Sequence, residues 1–194
     1  LFSLSIPILY YFIPSSISIT ILLCLTIFAF VVDGGRFISK SFANIFYKAF
    51  GFLLRKHELD KEKKNLTGAT YVLLSALVCA LIFPKVIFVT AFTILIISDT
   101  MAALIGRKFG KIKFLRKSLE GTLSFFISAS IVVGFPMEYV IGFIAAFVGA
   151  IVENISYGLA DDNLTIPISV GLTMWALYLI IFPNLDLILL NVPR

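Results

Sequence analysis

The chain has 194 residues, of which 60% are hydrophobic, and its mean hydropathy is +1.05. A soluble domain of this length could not bury so much apolar surface, so the composition excludes a water-soluble globular protein. The net charge of +5 comes from 16 Lys and Arg against 11 Asp and Glu. Basic loops orient membrane proteins and attract anionic lipid headgroups, and we expect no nucleic acid partner.

Apolar runs that approach the ~20 residues needed to span a bilayer recur along the chain. Backbone at membrane depth must satisfy its own hydrogen bonds, so these runs are predicted to be helices. They are Leu1–Ile13, Ser16–Val32, Thr67–Phe83, Val86–Ile105, Thr122–Phe135, Tyr139–Ile155 and Ile166–Phe182. The predicted fold class is therefore all-α: a polytopic integral membrane protein with about seven transmembrane helices, forming a single membrane-embedded domain over residues 1–194.

The first run is short for a full span, and the chain opens on Leu1 rather than Met. It has neither the basic start nor the small-residue cleavage site of a signal peptide. We interpret it as the remainder of a longer first helix, so that the N-terminus is truncated.

The segment after the second run alternates apolar and charged residues, a pattern typical of a helix that lies in the membrane interface. Its predicted bilayer-facing residues are Phe42, Ile45, Phe46, Phe50 and Leu53. We interpret its basic residues mainly as determinants of orientation.

The charges also predict the topology. Of the 16 Lys and Arg, eight lie between Arg36 and Lys64 and six between Arg107 and Lys117. The positive-inside rule places both segments on the cytoplasmic face. Counting helices from there brings a third polar segment, which contains Asp161 and Asp162, to the same face. Three polar segments are thus predicted to converge at one membrane surface.

The stretch from Ser98 to Gly121 combines an acid in an apolar helix with a dense basic loop. A charge near membrane depth is costly, so Asp99 is a functional candidate. Gly106 and Gly110 allow a close backbone approach at the start of the loop. The loop lacks the Walker pattern, so its spacing alone does not make it a phosphate-binding loop.

The remaining acids offer hard oxygen ligands beside this loop: Glu58, Asp99, Glu120, Glu153, Asp161 and Asp162. Each could instead be paired structurally, as Asp33 is predicted to be with Arg36 at a helix end. Carboxylates beside a basic loop fit Mg²⁺ bound to a nucleotide, because the metal then bridges carboxylates and phosphates. Cys24 and Cys79 do not predict a metal or redox pair, and His57 is interpreted as a solvated surface residue.

Four short motifs carry a family resemblance. They are Asp99-x-x-Ala102, Gly106-Arg107-x-x-Gly110, Lys117-Ser118-x-Glu120-Gly121-Thr122 and Glu153 followed by Asp162-Asn163-x-x-x-Pro167. Together they resemble the CTP-dependent lipid kinases, which include dolichol kinases, phytol kinases and fungal-type diacylglycerol kinases. Glu58 and the stretch from Leu66 to Tyr71 also resemble this family. The family usually carries an Arg-Lys-x-x-His run before the first helix, and this chain starts after that point.

The resemblance implies phosphoryl transfer from CTP to the hydroxyl of a membrane lipid, with Mg²⁺ as cofactor. The implied metal ligands are Asp99, Glu120 and Asp162, and Glu153 or Asp161 is the implied general base. The implied nucleotide- and phosphate-binding residues are Gly106, Arg107, Lys108, Gly110, Lys111, Lys113, Lys117, Ser118 and Asn163. Possible supporting residues are Glu58, Thr67 and Gly68.

Two alternatives stay open. The Lys117 motif is also similar to one in phosphatidate cytidylyltransferases, in which phosphatidate attacks the α-phosphate and pyrophosphate leaves. The segment from Asp161 to Pro167 argues against that enzyme, since it lacks the longer late pattern of the cytidylyltransferases. The second alternative is a non-enzymatic transporter or lipid-binding protein, but the chain shows no convincing internal repeat of the kind transporters carry. The acceptor lipid is not predicted.

Overall fold

The computed structural model describes residues 2–51, 54, 66–134, 139–156, 161–185 and 187. Within these residues the chain forms eight α-helices and one small hairpin, after a short 3-10 turn at Phe2–Leu4. The helices are α1 Ser5–Phe12, α2 Ser15–Ile38, α3 Lys40–Phe50, α4 Gly68–Ile82, α5 Lys85–Phe109, α6 Leu119–Val133, α7 Tyr139–Ile155 and α8 Asp162–Ile181. The strands are β1 Lys113–Phe114 and β2 Lys117–Ser118. The all-α prediction is confirmed.

Every predicted apolar run contains a helix, but the helices differ in length. Three of those in the described part of the chain are long and apolar enough to cross a membrane: α2, α5 and α8, with 24, 25 and 20 residues. Helices α4 and α6 have 15 residues each and α7 has 17. Fifteen residues rise about 22 Å, less than the ~30 Å hydrocarbon core. The count of seven spanning helices therefore stays a prediction.

Helix α5 lies at the centre of the bundle and packs against α1, α6 and α8. Its Phe88 and Phe92 are fully buried and stack with ring centroids 4.8 Å apart. Helix α2 is different: only 17% of its most apolar stretch is buried inside the protein, against 61% for α5. Phe28 on α2 is 67% exposed, as expected for a side chain that faces lipid and not the protein interior.

Helix α2 continues six residues beyond its predicted end at Val32, because two charged residues are accommodated inside it. Asp33 and Arg36 are buried and their side chains lie 3.0 Å apart across one helical turn. The predicted helix-end pair is thus confirmed. Pairing removes the reason for the helix to end at the first charge.

Helix α3 lies within the segment predicted to be an amphipathic helix. It begins after Ser39, whose hydroxyl accepts a hydrogen bond from the backbone N–H of Phe42. Its apolar residues Phe42, Ile45, Phe46 and Phe50 line one groove, whereas Leu53 lies outside the described residues. Its placement in a membrane interface stays a prediction.

Candidate active site

The described polar segments meet at one end of the bundle, around the side chain of Lys117. Its Nζ lies 2.6 Å from Oε1 of Glu153 on α7 and 3.6 Å from Oδ2 of Asp162 on α8. The cation comes from the basic hairpin, and each of the two carboxylates comes from a different helix. Thus the segment with Lys117 and the segment with Asp162 converge, as the helix count predicts.

The carboxylate of Glu153 is the most buried member of this cluster. Its side chain is 3% exposed, against 18% for Asp162 and 36% for Lys117. Oε1 accepts a hydrogen bond from Lys117, but Oε2 is buried and has no hydrogen-bond partner among the described residues. A buried acceptor left without a partner costs about 1–3 kcal/mol. Such an atom is a candidate ligand for a cation or for a donor on a substrate.

The basic hairpin is held to the bundle by Asn154, the neighbour of Glu153. Asn154 is fully buried, and its Oδ1 accepts hydrogen bonds from the backbone N–H groups of Arg116 (2.9 Å) and Lys117 (3.3 Å). Its Nδ2 donates to Thr122 Oγ1 at 2.6 Å. One amide therefore joins β2 to the first turns of α6 and fixes the backbone of Lys117.

The sequence predicts a loop where the structure forms this hairpin. Lys113 pairs with Ser118 and Phe114 with Lys117 in an antiparallel ladder. The two-residue turn between them places Leu115 at φ 51°, a left-handed conformation that glycine adopts more readily. The backbone N–H groups of Arg116 and Lys117 donate hydrogen bonds to Asn154, so a tertiary contact holds the turn in this conformation.

Three predicted phosphate-binding residues instead pack against one another where α5 and α6 meet. A Cβ added at Gly110 would lie 2.8 Å from Ser118 Cβ, and one added at Gly106 would lie 3.0 Å from Ser118 Oγ. Ser118 also caps α6, because its hydroxyl accepts a hydrogen bond from the backbone N–H of Gly121. The two motifs therefore join the helix before the hairpin to the helix after it. Their role in phosphate binding stays a prediction.

Glu120 organises the start of the hairpin. Its Oε1 accepts hydrogen bonds from the backbone N–H groups of Lys111 (3.0 Å) and Ile112 (3.2 Å). Hydrogen bonds from its own backbone N–H and from that of Lys111 are the main reasons that the pKa of Glu120 lies below its ordinary value. The structure gives this predicted metal ligand a set of backbone donors and places it on the loop side of the cluster.

Asp99 is half-buried on α5, two turns before Gly106. Residues seven apart lie on the same helix face, so Asp99 shares the face that brings Gly106 against α6. The predicted phosphate-binding residues Arg107, Lys108, Lys111 and Lys113 are all exposed around this end of α5 and β1. They precede Lys117 in the same basic stretch of the chain, and solvent, and hence a soluble anion, can reach their charge.

The start of α8 supplies the third polar segment. Asp161 is the N-cap: its Oδ1 accepts hydrogen bonds from the backbone N–H of Asn163 (2.9 Å) and from Asn163 Nδ2 (2.7 Å). Asp162 follows in the first turn and extends toward Lys117. Carboxylates are stabilised at this end of a helix by its macrodipole. The backbone oxygen of Asn163 accepts a hydrogen bond from Ser75 Oγ, which fixes α8 against α4.

A second buried cluster lies around Asp33. Its Oδ1 lies 3.0 Å from Arg36 Nη2, and its Oδ2 accepts from the Thr67 backbone N–H (2.9 Å), Thr67 Oγ1 (3.3 Å) and Thr70 Oγ1 (2.7 Å). The predicted supporting residue Thr67 thus binds Asp33, and Gly68 follows it at the start of α4. The third supporting residue, Glu58, lies outside the described residues.

The donor set at the Lys117 cluster fits Mg²⁺ in the form that accompanies a nucleotide. Two carboxylates lie within 4 Å of one ammonium group, and one of their oxygens, Glu153 Oε2, is buried without a hydrogen-bond partner in the described part of the chain. No group of three or more His, Cys, Asp or Glu side chains that could hold a metal occurs among the described residues. Mg²⁺ is usually bound by one or two carboxylates, with phosphates and waters completing its shell.

Comparison with known proteins shows which proteins the chain is similar to. The chain is 31% identical over 171 residues to an uncharacterised protein of Rickettsia prowazekii, covering 84% of this chain and 83% of that one. It is 28% identical over 163 residues to CTP-dependent diacylglycerol kinase 1 of Schizosaccharomyces pombe, covering 72% of each chain. It is also 34% identical over 90 residues to a phytol kinase of Synechocystis, covering 40% of this chain and 39% of the kinase. No protein-family model and no solved structure matches the chain.

Two of these relatives are lipid kinases, so the chain resembles the CTP-dependent lipid kinase family. Its apolar helices and its relatives together indicate an integral membrane protein. The sequence-based resemblance to this family is confirmed.

Sequence reasoning missed one residue of the site and gave another a smaller role. Asn154 was visible only as part of an Asn-x-Ser sequon, although a polar residue beside Glu153 at the end of an apolar helix could have marked it as a buried hydrogen-bonding residue. The sequence predicts only that Asp33 pairs with Arg36. Thr67 and Thr70 lie more than 30 residues further along the chain, at the start of α4, so sequence spacing does not predict their contacts with Asp33.

Proposed function

We propose that this protein is a CTP-dependent lipid kinase that transfers the γ-phosphate of CTP to the hydroxyl of a membrane lipid. The observation that carries the proposal is the cluster of Lys117, Glu153 and Asp162, which presents a cation and two carboxylates at one end of an apolar bundle. Similarity to a CTP-dependent diacylglycerol kinase and to a phytol kinase supports the reaction class and the nucleotide. Phosphoryl transfer needs chiefly positioning and charge neutralisation, and this cluster can supply both.

Asp162 and Glu153 would hold Mg²⁺. Asp99 of the kinase motif stays a predicted ligand, because the described residues form no group of three carboxylates that could hold a metal. Held by these residues, Mg²⁺ would supply positive charge that offsets the charge on the transferring phosphate. Glu120 is assigned to the hairpin instead, because its Oε1 accepts two backbone hydrogen bonds there. This assignment changes one member of the sequence-based metal set, since Glu153 takes the place of Glu120.

The basic residues bind the triphosphate. Lys117 is fixed by Glu153 and by the hydrogen bond from its backbone to Asn154, so its ammonium group is pre-positioned next to the carboxylates. The exposed residues Arg107, Lys108, Lys111 and Lys113 supply further positive charge from the same loop. Fixed cations stabilise the transferring group at little reorganisation cost.

Asp161 is the proposed general base. Its Oδ1 accepts a hydrogen bond from Asn163, and Asn163 lines the same groove as the apolar residues of α3. A base must lie within hydrogen-bond reach of the hydroxyl that it deprotonates. Asp161 therefore lies beside an entry for a lipid hydroxyl, whereas Glu153 is buried against Lys117.

The test uses the full-length protein in detergent with Mg²⁺, CTP and a panel of polyprenols, phytol, diacylglycerol and phosphatidate. CDP and pyrophosphate are measured separately. We expect CDP together with a phosphorylated lipid, and the acceptor that reacts names the substrate. Pyrophosphate together with a CDP-lipid would instead identify a cytidylyltransferase and overturn the proposal.

We also propose that this end of the bundle faces the cytoplasm, on the strength of its many basic residues. Lys113 is exposed on the hairpin and can be replaced by Cys for labelling with a membrane-impermeant maleimide. Lys113→Cys should react in inside-out vesicles and stay unlabelled in right-side-out vesicles. The reverse pattern would overturn the orientation.

A further inference from the structure

A groove of about 720 Å³ runs between α2, α3 and α4. Its walls are mainly apolar and include Phe28 and Val32 on α2, Ile45 and Phe46 on α3, and Leu73 on α4. The volume lies within the range of ~300–1,000 Å³ that is common for ligand sites. Phe28 is 67% exposed and Ile45 69%, so the groove is open on one side. Since α2 is the spanning helix least buried by protein, that side faces the bilayer.

Most polar residues of the groove lie at one end. Apart from Ser3, they are Asp33, Thr67, Thr70 and Asn163. Asp33 binds both threonines, so the hydrogen-bonding groups form one patch at the ends of α2 and α4. An apolar channel with one polar end matches an amphiphile with a long tail and a small headgroup.

The polar end adjoins the proposed phosphoryl-transfer site. Asn163 lines the groove, donates to Asp161 through its amide and follows Asp162 in the chain. Asp162 in turn lies 3.6 Å from Lys117. A headgroup at the polar end is therefore one residue away from the cluster that would hold the phosphates.

The chemistry of this end also selects the headgroup. None of the described residues that line the groove is Lys or Arg. The one acid in its lining, Asp33, is neutralised by Arg36. Hydroxyls and an amide bind a neutral hydroxyl well, but they offer no counter-charge for a phosphate.

We propose that this groove holds the apolar chain of a neutral lipid alcohol, with its single hydroxyl at the end formed by Thr67, Thr70 and Asn163. The inference rests on the proposed function, because the hydroxyl is placed there as the phosphoryl acceptor. It places the apolar chain of the acceptor between α2, α3 and α4.

The experiment uses the full chain in phosphatidylcholine nanodiscs with two photoreactive probes, a diazirine-bearing hexadecanol and the corresponding hexadecyl phosphate. Labelled peptides are identified by mass spectrometry without CTP. The alcohol should label α3 and the Ala29 region of α2, and the phosphate should not. Ala29→Phe on α2 and Ala69→Phe on α4 each place a larger side chain in the groove, and each should lower labelling about tenfold. Ala176→Phe is the control, on an exposed position of α8 outside the groove.

Because labelling needs no turnover, it separates this inference from the kinase proposal. Equal labelling of the Ala29→Phe, Ala69→Phe and Ala176→Phe variants, or equal labelling by both probes, would overturn the groove assignment even in an active kinase. Groove labelling by the alcohol in a protein that releases no CDP would support the groove and overturn the kinase. Narrowed variants that keep activity should show a higher KM for the lipid and an unchanged KM for CTP.

Discussion

Two buried carboxylate–cation pairs lie in this bundle, and they differ in how completely the acid is satisfied. Asp33 is contacted at both oxygens: Oδ1 has no hydrogen-bond partner among the described residues but lies 3.0 Å from Arg36 Nη2, and Oδ2 accepts hydrogen bonds from Thr67 and Thr70. Glu153 has Lys117 on Oε1 and no hydrogen-bond partner on Oε2 among the described residues. We call a pair saturated when each oxygen of its acid has an ion-pair or hydrogen-bond contact, and unsaturated when one oxygen has neither. A saturated buried pair holds elements together, whereas an unsaturated one retains the capacity to bind something else. The comparison assigns a structural role to Asp33 and a chemical role to Glu153.

The largest expected effect is on turnover when the unsaturated pair is altered. Asp162→Asn and Glu153→Gln keep shape and remove charge, so we expect kcat to fall about a thousandfold in each because the phosphate charge is no longer neutralised. Phosphorylated lipid formed per minute by the purified variants is the measurement, with thermal unfolding in detergent as the test of folding.

Glu120→Gln is the matched control, since it removes a carboxylate of the hairpin that accepts backbone hydrogen bonds. It should lower kcat by less than about tenfold. A larger loss in Glu120→Gln than in Glu153→Gln would restore Glu120 to the metal set.

The saturated pair should show the opposite signature. Asp33→Asn leaves Arg36 buried without its counter-ion and is expected to destabilise the protein by about 3–5 kcal/mol. The midpoint of thermal unfolding should drop, while the KM for CTP of the folded fraction stays unchanged. An unaltered midpoint of thermal unfolding together with lost activity would show that Asp33 has a role in catalysis.

A smaller effect is expected at Asn154, which touches the cluster only through the hairpin backbone. Asn154→Ala removes the acceptor for Arg116 and Lys117 and should raise the KM for CTP about tenfold, because Lys117 is no longer pre-positioned. Asn154→Asp keeps the acceptor and loses the donor to Thr122, so it should recover part of the nucleotide affinity. Equal KM values for the wild type and Asn154→Ala would exclude this positioning role.

A pH effect is expected at Glu120. Its pKa is lowered in the folded protein, mainly by hydrogen bonds from its own N–H and from Lys111, so its contribution to the hairpin is fully present above its ordinary value of 4.5. That contribution is lost as the pH falls through the lower folded value. NMR shifts of the Lys111 and Ile112 amide protons should titrate below 4.5 in the wild type and stay flat in Glu120→Gln. A midpoint above 4.5 would contradict this account.

The smallest effect is expected at the hairpin turn. Leu115 has φ 51°, so Leu115→Gly should relieve strain and raise stability by up to about 1 kcal/mol. Chemical denaturation can measure the change. A loss of stability would mean that contacts of the Leu115 side chain outweigh the backbone strain.

The sequence could predict what depends on local pattern. Apolar runs predicted every helix except α3, which the alternation of apolar and charged residues predicted. The charges predicted that the segments containing Lys117 and Asp162 converge. Helix α2 was longer than predicted because a pair of charges, Asp33 and Arg36, neutralises itself inside the helix. The spanning lengths of α4, α6 and α7 could not be settled from composition, since a run of 15 apolar residues is compatible with more than one placement relative to the bilayer.

What depends on contacts between distant segments was not predictable. The hairpin forms because Asn154, 37 residues beyond Lys117, accepts from its backbone N–H. Likewise Gly110 was expected to approach a phosphate, and its close neighbour in the structure is Ser118. For Asn154 the residue type indicates a hydrogen bond, and for Gly110 it indicates a close approach. The partner of each residue is known only from the three-dimensional structure.

The central claim, that the Lys117 cluster directs phosphoryl transfer from CTP to a lipid hydroxyl, is tested most directly with CTP labelled separately at its α- and γ-phosphates. The measurement is which label enters the lipid fraction with the wild type and with Glu153→Gln. The account predicts that only the γ-label enters, with CDP released, and that Glu153→Gln loses this transfer while remaining folded. Entry of the α-label with release of pyrophosphate would contradict it.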